Sequence, residues 1–272
     1  MKKQIRLIAL DLDGTLLDDQ KQLSENNIQA LAECARRGIQ VVPATGRPAD
    51  GIPKELCAIP GVRYAITTNG GAVVDLETGR RLSQCVLSNE QVLRVLDIVR
   101  QYHVMYDPYV QGRGITQSSF FEHMEEFGIS PAVQKLVRAT RDVVPDIYQY
   151  MVETKNCAEK INVFLADLSD KEILREELSS VEGLAISSSM YNNLEINAEA
   201  ATKGNALLWL ADHLGIPREE TMAFGDGEND ISMLKAAGTG DASDHVKAAA
   251  DEETLTNEQD GVAAAIQTWI LK

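Results

Sequence analysis

The sequence predicts an α/β fold: a parallel sheet with helices on its faces, interrupted by an inserted α+β cap. Near the start of the 272-residue chain, short apolar runs alternate with helix-patterned stretches. That rhythm breaks near residue 80 and resumes near residue 199. The expected division is a core made of residues 1-80 and 199-272, with the cap at 81-198.

Taken in order, residues 5–10 read as a buried strand that ends in Asp11-Leu12-Asp13-Gly14-Thr15. A helix follows from Glu25, with Ser24 as N-cap, Ile28, Leu31 and Ala35 on one face, and Gly38 past its end. Residues 39–43 form a second apolar strand running into Ala44-Thr45-Gly46-Arg47, and Tyr64–Thr67 a third running into Asn69-Gly70-Gly71. In the cap, Ser88 and Gln91 have capping-box spacing and open a helix facing inward through Val92, Val95, Leu96 and Val99. Ser169 and Glu172 have the same spacing ahead of another helix, between strands at Lys160–Leu165 and at 184–188. Residues 107–155 carry no pattern clear enough to assign. The core rhythm returns with a helix over 203–214, a strand over 221–224 and helices at Ile231–Ala236 and 262–271.

A formal net charge of −15 repels a phosphate backbone and an anionic membrane alike, so neither nucleic acid nor membrane is an expected partner. Any phosphate-binding site on such a chain needs local positive charge from a metal ion and a few placed Lys or Arg. Cys34, Cys57, Cys85 and Cys157 contain no CxxC pair, which fits reduced thiols and a cytoplasmic location. The first residues resemble a signal peptide only superficially, because Arg6 interrupts the apolar run and Asp11 and Asp13 end it. No run of about 18 apolar residues suggests a membrane span.

Ligands of open parallel sheets sit at the carboxyl ends of the strands. Three such ends here carry polar clusters: Asp11 with Asp13, Thr45 with Arg47, and Asp226 with Asn229 and Asp230. Lys203 opens a helix shortly before the third. Asp11 and Asp13 lie two residues apart, which at a strand end points both carboxylates the same way. Carboxylates facing one site repel each other unless a cation joins them, and an all-oxygen set suits magnesium. Gly14 permits a tight turn, Thr45 offers a hydroxyl and Gly46 an unhindered N–H to a phosphate oxygen. Each feature also has a plain structural reading: a turn at Asp11-Leu12-Asp13-Gly14 and at Asn69-Gly70, a surface ion pair for Arg47, a solvated helix start for Lys203. A C-x5-R spacing between Cys57 and Arg63 lacks the Gly/Ser-rich loop that thiol phosphatase chemistry needs, and is read as chance.

Leu10-Asp11-Leu12-Asp13-Gly14-Thr15-Leu16 resembles the first motif of the haloacid dehalogenase superfamily. Thr45-Gly46-Arg47, Lys203 and Gly225-Asp226-Gly227-Glu228-Asn229-Asp230 resemble its second, third and fourth motifs, in the same order. The long insertion, with Thr68-Asn69-Gly70-Gly71 before it, resembles the Cof-type branch, whose cap is α/β and which includes sugar phosphatases. The resemblance covers essentially the whole chain. It implies a Rossmann-like core and a Mg²⁺-dependent phosphatase that hydrolyses phosphomonoesters of small metabolites, sugar phosphates above all, through an aspartyl-phosphate. Asp11 is then the nucleophile, Asp13 the general acid and base, and Thr45 and Lys203 orient the phosphate. The implied metal site is Asp11, the Asp13 main-chain carbonyl and Asp226, with Asp230 supporting; Gly46, Arg47, Asn69 and Asn229 lie on the substrate side. The implied partner is a small phosphorylated metabolite, and the chain is expected as a monomer or homodimer.

The stretch Gly238-Thr239-Gly240-Asp241-Ala242-Ser243-Asp244 departs from the family pattern, being about four residues short. A truncated final core strand, or a loop in its place, is the expectation there. Two alternative activities follow: a phosphomutase of the same superfamily, and a catalytically weak binding or regulatory protein.

Overall fold

The computed structural model describes residues 4–242 and 246–271. Its strands, in chain order, begin with β1 (Leu7–Leu10), β2 (Gln40–Pro43), β3 (Tyr64–Thr67), β4 (Ala72–Asp75) and β5 (Arg81–Gln84). There follow β6 (Val104–Val110), β7 (Arg113–Gln117), β8 (Arg141–Val144), β9 (Lys160–Leu165), β10 (Leu184–Ser187) and β11 (Asn193–Ala198). The last are β12 (Thr221–Gly225) and β13 (Thr239–Ala242). The chain divides into two compact units, one of Met1–Ser83 with Thr202–Lys272 and one of Gln84–Ala201.

In the first unit a parallel sheet runs in the order β13-β12-β1-β2. Every residue of β1 is buried, as a four-residue apolar strand between two neighbours must be. Its register aligns Leu10 with Phe224 on one side and Pro43 on the other. Asp11, Gly225 and Ala44 therefore lie at one level across the sheet. β3 is not laddered into this sheet: it meets it at one parallel bridge, Ala44 with Ile66, then turns back as an antiparallel hairpin with β4. The third strand forms at the expected Tyr64–Thr67.

The helix Glu25–Arg36 is capped by Ser24, whose side chain accepts from the Asn27 N–H. Its buried stripe is Asn27, Ala30, Leu31 and Cys34, with Ile28 and Ala35 half-buried at the flanks. The stripe is turned because Asn27 is buried as a connector. Its amide donates to the Leu16 carbonyl at 3.1 Å and accepts from the Ala263 N–H at 3.0 Å, tying the loop after β1 to the last helix. Of the two expectations for residues 238–244, the loop is corrected: β13, four residues long, pairs in parallel with β12 from Met222↔Thr239 to Gly225↔Ala242. Ser243 and Asp244 lie outside the described residues.

The second unit is built on a six-stranded sheet in the order β10-β11-β9-β6-β7-β8, antiparallel except between β7 and β8. Ser88 and Gln91 form the expected capping box, and Val92, Val95, Leu96 and Val99 are buried. The second expected box does not form. Asp167 takes the Ser169 N–H at 2.9 Å, a short 3₁₀ turn intervenes, and the helix Lys171–Ser179 starts without a side-chain cap. Ile161, Val163, Leu194 and Ile196 face the helices in one apolar cluster. Pairing places Asp107 opposite Asn162 and Tyr109 opposite Lys160 on the other face.

That polar face is buried and held by two ion pairs, Arg141 to Asp107 at 2.5 Å and Lys160 to Glu195 at 2.7 Å. Arg141 also donates to the Tyr109 hydroxyl. It can cross β7 because its neighbour in register is Gly114, where a Cβ would stand 2.5 Å from the Arg141 Cδ. Removing one partner of a buried pair strands the other charge. Arg141→Met is expected to destabilise the protein by about 3–5 kcal/mol in urea unfolding. A loss under about 1 kcal/mol would show that Asp107 does not depend on this pair.

Candidate active site

Asp11 follows β1, and its N–H continues the ladder by donating to the Phe224 carbonyl at 2.9 Å. Lys203 enters from the start of the helix Lys203–His213, where it is fully buried. Its ammonium donates to Asp11 Oδ1 and to Asp230 Oδ1, both at 2.6 Å. Asp230 uses its other oxygen to take the Asp226 and Gly227 N–H groups at 3.1 and 2.9 Å, which closes the turn after β12. Thr15 donates to Asp226 Oδ1 at 2.7 Å. Carboxylate oxygens of Asp11, Asp226 and Asp230 all lie within 4.8 Å of one another.

Two glycines make this approach possible. Gly14 has φ +96°, and a Cβ there would stand 2.4 Å from Asp226 Oδ2. A Cβ at Gly70 would stand 2.2 Å from the Thr202 carbonyl, so the Asn69-Gly70 turn leaves room for the backbone that delivers Lys203.

Asp13 faces elsewhere. Arg47 clamps it through two parallel hydrogen bonds, Nε to Oδ2 at 2.7 Å and Nη2 to Oδ1 at 2.6 Å. Lys21 adds a third contact, 3.0 Å to Oδ1. Arg47 is itself fixed by donating to the Gly51 carbonyl at 2.9 Å, and its N–H donates to Thr45 Oγ1 at 3.1 Å. Thr45 is buried; its N–H donates to the Ile66 carbonyl at 2.9 Å and its carbonyl accepts from the Asn69 N–H at 3.0 Å. Asn69 sits in the left-handed region at φ 60° and accepts from the Asn229 amide at 3.1 Å.

The residues singled out from sequence thus fall into linked groups: Asp11, Lys203, Asp226 and Asp230; Asp13 with Arg47; Asn69 with Asn229. Gly46 lies between Thr45 and Arg47 in the connecting loop. The Asp13 carboxylate is bonded by Arg47 and Lys21. Thr15, Lys21 and Gly70 went unremarked as site residues in the sequence. Thr15 had a signal, being part of the first motif; Lys21 had none, because a five-residue loop brings it back.

The electrostatics leave the cluster short of positive charge. Burial, then Asp230, push the Asp11 carboxyl well above the usual carboxylate range, against the pull of Lys203. Burial also raises Asp226, against its bond from Thr15. Burial would lower the Lys203 ammonium, but Asp11 and Asp230 outweigh it and hold it charged. Lys203 bridges Asp11 and Asp230, and an Asp226 oxygen lies within 4.8 Å of both carboxylates. A hard divalent cation with oxygen ligands meets both the charge and the donor set.

The chain belongs to the haloacid dehalogenase-like hydrolases, whose family pattern matches residues 8–266. It is 29% identical to a 5-amino-6-(5-phospho-D-ribitylamino)uracil phosphatase of Bacillus subtilis, over 98% of this chain and 96% of that one. It is 28% identical to a pyridoxal phosphate phosphatase of Escherichia coli, over 98% of this chain and 99% of the relative. A solved haloacid dehalogenase-like hydrolase from B. subtilis superposes with a TM-score of 0.84 at 29% identity, covering 97% of this chain and 99% of that one. The chain is a phosphatase of this family. Among the described residues no helix is long and apolar enough to cross a membrane.

Burial would raise the Asp13 carboxyl, but the hydrogen bonds and charge of Arg47, with Lys21, overcome it and hold it at about 2, below the ordinary 3.8. A depressed carboxyl stabilises the folded state above its unfolded pKa, and that contribution is lost as pH falls through the folded one. In Arg47→Met the Asp13 midpoint, followed by carboxyl NMR, is expected to rise. The stability deficit of this variant at neutral pH should shrink as pH drops from 3.8 towards about 2. An unmoved midpoint would show that Arg47 does not set the charge of Asp13.

Proposed function

We propose that this phosphatase is Mg²⁺-dependent and hydrolyses phosphomonoesters of small metabolites, sugar phosphates and related polyol phosphates above all, through an aspartyl-phosphate at Asp11. The observation that carries this reading is the Asp11 carboxylate at the end of the central strand, bonded to a buried lysine and grouped with two further carboxylates. An anionic nucleophile cannot approach a phosphate dianion until charge is cancelled. Asp11, Asp226 and the Asp13 main-chain carbonyl, with Asp230 in support, would hold Mg²⁺, which would supply that cancellation.

In the first step an Asp11 oxygen bonds to phosphorus while the bond from phosphorus to the leaving oxygen breaks. That oxygen takes a proton from Asp13 and departs as an alcohol. In the second step water gives a proton to the Asp13 carboxylate as its oxygen bonds to phosphorus. The bond from phosphorus to Asp11 breaks, which returns the carboxylate and releases inorganic phosphate. Lys203 and Thr45 orient the phosphate, and Gly46, Arg47, Asn69 and Asn229 line its surroundings. Because Arg47 and Lys21 hold Asp13 ionised, one of these contacts must loosen before Asp13 can carry a proton.

The relatives act on a phosphorylated ribitylamino compound and on pyridoxal phosphate, both small phosphomonoesters. The binding-protein alternative rests on the departure at residues 238–244; four of those residues pair as β13 with β12.

Phosphate release from a panel of sugar, polyol and cofactor monophosphates tests the reading. EDTA should abolish turnover and Mg²⁺ restore it, and Asp11→Asn should lower kcat by about 10³-fold or more. A fully active Asp11→Asn, or release indifferent to EDTA, would contradict it.

A further inference from the structure

We propose that Gly204 and Ser232 are positioning residues for Lys203. The missing Cβ of one and the hydroxyl of the other hold the start of the helix Lys203–His213 against the start of the helix Ile231–Ala236, which keeps the Lys203 ammonium between Asp11 and Asp230. The inference rests on the proposed role of Lys203 in orienting the phosphate and extends it to two residues outside the four motifs.

Lys203 is the first residue of its helix, and the N–H groups of a first turn have no partner within the helix. Two hydroxyls meet them here. Thr202, the N-cap, accepts from the Asn205 N–H at 3.1 Å. Ser232, from the first turn of the helix Ile231–Ala236, accepts from the Gly204 N–H at 3.1 Å. The helix thus takes one cap from its own chain end and one from a neighbouring helix. The second cap depends on the glycine. A Cβ on Gly204 would stand 2.2 Å from the Ser232 carbonyl oxygen and 2.6 Å from its carbonyl carbon. Both are backbone atoms, which no change of rotamer moves aside.

The consequence is felt at the ammonium. Ser232 lies two residues after Asp230, so the Gly204–Ser232 bond and the Lys203–Asp230 bond join the same two helix starts. The first sets the span that the second must bridge. Lys203 is fully buried and bonded to both carboxylates at 2.6 Å, so its side chain has no slack to absorb a shift of the backbone. Asp230 cannot follow such a shift, because its other oxygen takes the Asp226 and Gly227 N–H groups. The residue before Lys203 is gripped in the same manner, with Gly70 packed on the Thr202 carbonyl. The main chain on both sides of Lys203 is therefore held by glycine contacts.

Gly204→Ala adds bulk at this contact and Ser232→Ala removes only its bond, so the second variant serves if the first does not fold. The Lys203 ammonium itself is the direct readout, by NMR of protein carrying ¹⁵N-lysine in buffer with Mg²⁺, with Lys203→Met identifying its signal. Buried and bonded twice, it is expected to exchange slowly with water in the wild type. Ser232→Ala should broaden that signal, and Ser232→Thr, which keeps the hydroxyl, should restore it. Turnover of p-nitrophenyl phosphate should follow. In Ser232→Ala kcat/KM is expected to fall about 5-fold, the scale of one lost hydrogen bond. In Gly204→Ala the fall should be about 100-fold, the scale of a catalytic group misplaced by about 1 Å. In a Lys203→Met background either substitution should cost less than about twofold, because residues acting through one group are not additive. An ammonium signal unchanged in Ser232→Ala, or losses undiminished in the Lys203→Met background, would overturn the proposal. Where Lys203→Met leaves too little turnover to measure, the ammonium signal decides. If Lys203→Met turns over at the wild-type rate while the signal still responds to Ser232→Ala, the role of Lys203 is wrong and the placement of its ammonium stands.

Discussion

Repulsion among carboxylates gathered at one sheet edge is the constraint on which this structure depends. Asp11, Asp226 and Asp230 bring oxygens within 4.8 Å of one another, and Lys203 is bonded between two of them. At an effective dielectric near 20, unit charges at that distance repel by roughly 3 kcal/mol per pair. A fold accepts such a cost where the same field serves binding or chemistry. The buried ammonium offsets part of it, and the remainder is what the proposed divalent cation would offset.

The architecture follows from holding those charges together. β1 must be central so that neighbours on both sides deliver side chains to its end, and the register of β12 and β2 brings their ends to the same level. Gly14 and Gly70 clear space for Asp226 and for the backbone before Lys203. Asp13 has cations of its own, Arg47 and Lys21. Two neighbouring aspartates thus take different electrostatic settings: Asp11 is pushed up by burial and like charge, while Asp13 is held low by guanidinium and ammonium despite burial. Environments that pull apart like residues are what allow one to act as nucleophile and the other to exchange protons.

Much of this was legible in the sequence, and the boundary is physical. β1, β9 and the helix Ile231–Ala236 were readable because each is a short run whose pattern and terminal residues agree. The sequence put Asp11 at a strand end and Lys203 at a helix start, but the bond between them is visible only in the fold. What was not legible depended on partners distant in sequence. The helix after Ser24 buries Asn27, a polar residue no periodicity would place inward, because Leu16 and Ala263 satisfy its amide. Asp167 displaced the expected cap at Ser169 because an Asx turn competed for the same N–H. β13 formed from an unpromising Thr-Gly-Asp-Ala segment because β12 offered an open edge. Residues 107–155 hid β7 and β8 because the Arg141–Asp107 pair that organises them interrupts any apolar alternation.

Trapping the covalent intermediate tests the central claim most directly. Asp13→Asn, mixed with substrate and Mg²⁺, quenched within milliseconds and reduced with borohydride, converts an aspartyl-phosphate to homoserine, which peptide mass spectrometry can locate. The account predicts homoserine at position 11 and nowhere else, in amounts that rise with substrate. Homoserine at another aspartate would contradict it, as would an unmodified Asp11 in a variant that still releases phosphate.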